Sequence, residues 1–173
     1  MKSPQKFPVR ARVLTVAAAA VIGAGTFGAV SATASTAPKT FTETTHLTAG
    51  SAVKAAQAAL AAAGKDGQKV SVAVVDRNGN TVVTLRGDGA GPQSYESAQR
   101  KAFTAVSWNA PTSELVKRLQ QAPNLKDIPG TLFLPGGAPV RTEGAPVAGI
   151  GVAGAPSGDL DEKYARAGVV ALG

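Results

Sequence analysis

One histidine, no cysteine and eleven carboxylates bound the chemistry open to this chain. His46 is the only imidazole, and imidazole is a common axial partner of haem iron. A serine triad through it would need a Gly-x-Ser-x-Gly elbow to present the nucleophile, and the sequence has none. Without cysteine there is no thiol catalysis, no thiolate metal site and no covalent haem attachment through Cys-x-x-Cys-His. Zinc sites of the usual kind want several His or Cys ligands. Asp88, Glu96, Asp161 and Glu162 read as solvated surface acids. Gly149-Ile150-Gly151-Val152-Ala153-Gly154 has the letter pattern of a dinucleotide fingerprint, but that motif needs a second parallel strand after its helix and an acid about 20 residues on. Only one helical segment follows before Gly173, so these glycines read as a strand that a helix or ligand approaches closely. Tyr95, Phe103 and Trp108 fall on one helical segment and read as core.

The elements that must position these residues follow from periodicity. Thr48 is a good N-cap, and Ala52, Val53, Ala56, Ala59, Leu60 and Ala63 recur at helical spacing until Gly64. So small a seam predicts a helix lying very close to its neighbour. Val70 to Val75 is a nearly continuous β-branched run, as in a strand buried on both faces. Asp76-Arg77-Asn78-Gly79-Asn80 turns it into Thr81 to Leu85, a hairpin. Ser94 opens a second helix with Tyr95, Ala98, Ala102, Ala105 and Val106 inward and Glu96 and Arg100 spaced for an exposed pair. Pro111-Thr112 breaks it, and Thr112 is a natural N-cap for a short third helix carrying Leu115 and Leu119. Leu132-Phe133-Leu134, Val140, and Pro146 to Val152 read as a three-stranded meander. Asp159 with Glu162 fits a capping box for a last helix with Tyr164, Ala167 and Val170 inward. The expectation is an α+β domain with an antiparallel sheet flanked by helices, in the order αββααβββα.

The first residues follow a secretory plan. Lys2, Lys6, Arg10 and Arg12 precede an apolar stretch from Val13 to Ile22, and Ala32-Thr33-Ala34 is a small-x-small site, so cleavage before Ser35 is expected. The stretch is short and interrupted by Gly23, Gly25 and Gly28, unlike the roughly 20 apolar residues of a spanning helix. Residues 1–34 are therefore expected to be a signal peptide, 35–46 a flexible leader and 47–173 the working domain, outside the cytoplasm. The sequence has 18 basic and 11 acidic residues, net +7. Four of the basic ones precede Ser35, leaving fourteen against eleven, or +3, with no basic cluster. That balance does not point to nucleic acid.

Several segments, in order, resemble the GlcG/HbpS family, which includes the C-terminal domain of PduO-type proteins. They are the Ala-rich first helix, Val72 to Gly79, Arg86-Gly87-Asp88-Gly89-Ala90, Ala98 to Ala105 running into Pro111-Thr112, Gly136-Gly137-Ala138-Pro139-Val140, and Val147 to Gly154 followed by Asp161-Glu162. The resemblance runs from about Leu47 to Leu172. It implies a profilin-like fold and assembly into homo-oligomers, octamers in the secreted haem-binding branch. It also implies non-covalent b-type haem, haem degradation in that branch, a role in iron and redox stress, and a membrane sensor kinase as partner. Thr112 matches a threonine associated with the haem iron in that branch, and His46 stands where some haem-binding relatives place a histidine. These two are the expected iron ligands, with His46 first on chemistry. Arg100, Lys101 and Arg141 are the candidate cations for haem propionates, and haem is expected between subunits. Other members accompany small-molecule metabolism, and a ligand-free signalling module is the remaining alternative.

Overall fold

A strand whose side chains are apolar on both faces must be covered on both sides, and the computed structural model shows how. It describes residue 40 and residues 42–173. The signal peptide expected over 1–34 and the start of the expected leader lie outside these. Thr42–Gly173 is one compact unit. Four strands, β1 (Ser71–Asp76), β2 (Thr81–Arg86), β3 (Gly137–Thr142) and β4 (Ala145–Ala153), form one antiparallel sheet in the order β2-β1-β4-β3. β1 lies inside it, and its residues 71–75 are buried.

α1 (Ala49–Lys65) and α4 (Gly158–Val170) cover one face, closing a core with Val72, Val74, Ile150, Val152 and Tyr164. α2 (Pro92–Trp108) covers the other, on Ala73 and Val75. α1 does what its alanine seam predicts: Thr48 caps it by accepting from the Ser51 amide, and Ala52, Ala55, Ala56, Ala59 and Ala63 are fully buried. On the α2 face, a Cβ on Gly149 or Gly151 would fall on the Ala102 or Ala98 carbonyl. The fingerprint-like glycines thus serve helix-on-sheet approach. Two hairpin turns match their residues. Asp76 accepts from the Asn78 and Asn80 amides, both at 2.8 Å. Glu143 and Gly144, both at positive φ, join β3 to β4, the pattern of a two-residue type I′ turn.

The α+β class holds, while five local expectations are corrected. Leu132-Phe133-Leu134 is not a strand: the Leu132 amide donates to Thr104 Oγ1 of α2 at 2.8 Å, and Phe133 turns into a small core with Trp108 and Leu115. The order is therefore αββααββα, with a short 3-10 helix at Pro123–Asp127 after α3 (Thr112–Arg118). α2 starts at Pro92, not Ser94, since proline suits a first turn. α3 is preceded by Pro111, and Thr112 is its first residue rather than its cap. α4 is capped by Ser157, whose hydroxyl accepts from the Leu160 amide, so Asp159 is free of that role. Tyr95 and Val170 face outward, Val170 at 77% exposure. No helix among the described residues is long and apolar enough to cross a membrane.

Candidate functional site

α2 ends at Asn109, in left-handed conformation (φ 49°, ψ 39°), and the chain turns through Ala110-Pro111 into α3. Beside that corner, β3 and the end of α4 enclose an open groove of about 280 Å³. Pro111, Ala138, Pro139, Val169 and Val170 give it apolar walls, and Arg141 and Arg166 are its charged residues. Arg141 Nε donates to Asn109 Oδ1 at 2.7 Å and its Nη2 to the Asn109 carbonyl at 2.6 Å. Arg166 Nη2 instead donates to Glu162 Oε1 at 2.7 Å.

Glu162 is buried, contrary to its reading as a surface acid. Its carboxylate also accepts from the Ser113 hydroxyl (2.7 Å) and amide (2.9 Å), holding the start of α3. Burial pushes its carboxyl up, but Arg166 and the two Ser113 donors outweigh burial and hold it below the usual glutamate value. Asp161 is the second correction. It is 3% exposed and paired with Lys101, itself 4% exposed, at 2.8 Å. Burial pushes the Asp161 carboxyl above the ordinary aspartate range, and Lys101 with the Ala155 and Gly154 amides pulls it back only in part. Asp88 and Glu96 are exposed as expected.

The expected site residues do not converge. Thr112 is fully buried, and its Oγ1 accepts from the Gly137 amide at 2.8 Å. No face of it meets solvent in this conformation. His46 is exposed, hydrogen-bonded to Thr44 Oγ1 at 2.9 Å, and lies in the neighbourhood of Asp76. Strand register puts Gly137, Thr112's partner, level with Gly151 and Ala73, three residues before Asp76. Lys101 is occupied by Asp161 and the Val152 carbonyl, and Arg100 by the Thr131 carbonyl and, at 3.9 Å, Glu96. Of the three cations expected for propionates, only Arg141 lines the apolar groove, and Arg166 was not anticipated. Trp108 packs edge-on against Phe133 with ring centres 5.2 Å apart and Phe103 packs on Val75, so Trp108 and Phe103 support core while Tyr95 does not. Among the described residues no three His, Cys, Asp or Glu side chains gather to hold a metal ion.

Fold and groove define a class: small α+β domains with a single antiparallel sheet covered by helices on both faces and an open groove at one edge. The family model described as "Haem degrading protein HbpS-like" matches residues 47–170, and the chain belongs to that family. It is 79% identical to a crystal structure of HbpS, with a TM-score of 0.77 over 78% of this chain and 95% of that one. A doubly Glu-to-Asp-substituted HbpS of Streptomyces reticuli is 70% identical, with a TM-score of 0.77 over 91% and 99% of the two chains. A PduOC–heme complex is 26% identical, with a TM-score of 0.67 over 73% and 95%. No curated protein sequence matches significantly.

Proposed function

We propose that this chain is a secreted, oligomeric haem-binding protein that buffers or senses haem and iron under redox stress. The observation that carries this reading is the groove between α3, β3 and α4, with apolar walls and two guanidinium groups. A flat apolar macrocycle bearing carboxylates asks for apolar walls beside a guanidinium that has no acidic partner, and Arg141 is such a group, because guanidinium recognises carboxylate through charge-assisted hydrogen bonds. Family membership and the haem complex of a relative support it. The haem would be b-type and non-covalent, and His46, an exposed imidazole outside the lining of this groove, would supply the iron ligand from a second copy. A groove open to the surface leaves one side of the macrocycle uncovered, so a second copy completes the site. Signalling to a membrane sensor kinase belongs to the same reading and is tested by capture of a kinase ectodomain with and without haem.

The primary test is a haemin titration of the chain from Ser35, followed by difference absorbance. Saturable uptake with a Soret shift is expected, and a flat titration overturns the reading. Peroxide added to the loaded protein reads out degradation as irreversible loss of the Soret band.

A further inference from the structure

Arg141 and Arg166 share one groove but are held in opposite electrostatic ways. Arg166 is paired with the buried Glu162 carboxylate at 2.7 Å, so its charge is already met. Arg141 is gripped by two oxygens of one neutral residue, Asn109 Oδ1 and the Asn109 carbonyl. No carboxylate pairs with it among the described residues. Asn109 presents both oxygens to the guanidinium from a left-handed backbone, the conformation that asparagine readily takes at a helix C-cap. The Asn109 side chain is itself fixed, its Nδ2 donating to the Gly144 carbonyl at 3.1 Å.

We infer that Asn109 is a positioning residue that presets Arg141 as the carboxylate-recognising cation of the groove, fixing its orientation without neutralising its charge. The inference rests on the haem reading and deepens it. A flexible arginine loses rotamer freedom on binding, and one already held at Nε and Nη2 has lost most of it beforehand. A neutral holder also leaves the full charge for the ligand, which an acidic holder would not.

The test compares haemin with haem dimethyl ester, which keeps the iron and the macrocycle but has no carboxylate. Wild type, Arg141→Gln, Asn109→Gly and Asn109→Asp are titrated with both by Soret absorbance, with circular dichroism to verify folding. Arg141→Gln should weaken haemin about tenfold, the scale of one charge-assisted hydrogen bond. Asn109→Gly keeps the left-handed backbone and its carbonyl but drops Oδ1, and should weaken haemin severalfold. Asn109→Asp keeps an oxygen in place but supplies a negative charge, and should weaken haemin at least as much. Wild-type haemin affinity should also fall with added salt. The ester should lose far less in every variant. Equal losses for haemin and ester, or haemin affinity unchanged in Arg141→Gln, in Asn109→Gly or in Asn109→Asp, overturn the inference while leaving haem binding intact. Failure of the wild type to bind either porphyrin removes the haem reading and this assignment with it.

Discussion

Lys101 of α2 and Asp161 of α4, 60 residues apart in sequence, meet as an ion pair of 2.8 Å with both side chains shut away from solvent. The pair ties the two helical layers together past the end of β4, where Lys101 also donates to the Val152 carbonyl. Removing one partner strands a buried charge, which costs about 3–5 kcal/mol, whereas replacing both by apolar residues is often near neutral. Lys101→Met and Asp161→Leu singly should therefore destabilise strongly, and the double variant should recover most of the loss in urea denaturation. Additive losses would contradict this account.

The two neighbouring acids of α4 should respond to pH with opposite sign. Asp161 is held above its ordinary value by burial. Such a group stabilises fully below its unfolded pKa, near 3.9, and loses that contribution as pH rises through the folded value. With its cation gone, Lys101→Met should recover part of its deficit on acidification towards pH 4. Glu162 is held low. Its contribution is present above the unfolded value near 4.3 and is lost as pH falls through the lower folded one. The stability gap between wild type and Glu162→Gln should be widest at neutral pH and close below about pH 4. Denaturant midpoints across pH 3–7 read both.

Gly151→Ala should be among the most damaging single changes in the domain. Its new methyl would fall on the Ala98 carbonyl and the Ala102 amide of α2, backbone atoms that cannot swing aside. Overpacking of this kind costs about 1–3 kcal/mol or more. Gly144→Ala, with open space around it, carries only the strain of its positive φ and should lose less. Thermal melts of the two variants give the comparison.

Thr112 and His46 should separate stability from ligand binding. Thr112→Val leaves the Gly137 amide without its partner in a buried place, a loss of about 1–3 kcal/mol. Because the hydroxyl is enclosed, the variant should still take up haemin with the wild-type Soret position. His46→Ala should keep the melting temperature and lose the Soret shift. The reverse pattern would transfer the iron to Thr112.

Much of the fold was legible because periodicity and burial agree. β1 reads as apolar on both faces, and both faces are covered; the alanines of α1 read as a close seam, and they are one. Leu132-Phe133-Leu134 misled because three apolar residues look alike in a strand and in a loop folded onto a core. What decides is the Thr104 hydroxyl 28 residues away, which takes the Leu132 amide. The burial of Asp161 did leave a signal: it shares helical spacing with Tyr164, Ala165 and Gly168, all buried. An acid on an inward stripe asks for a partner, and the sequence cannot say which of many cations supplies it. Asn109 was readable as a helix end, since asparagine tolerates the left-handed cap. Its hold on Arg141, 32 residues on, was not.

Across the α1–α4 contact, a Cβ on Gly168 would meet the Ala55 carbonyl, the Ile150 Cδ1 methyl and the Ala59 methyl, and the residues that α1 buries are all alanine. Alanine and glycine have no rotamers to change, whereas the buried core side chains that can turn, Ile150 and Tyr164 among them, stand on β4 and α4 rather than on α1. The spacing of these two helices is thus set by backbone rather than by side-chain choice. Tightening or loosening the contact between α1 and α4 therefore means moving a whole helix.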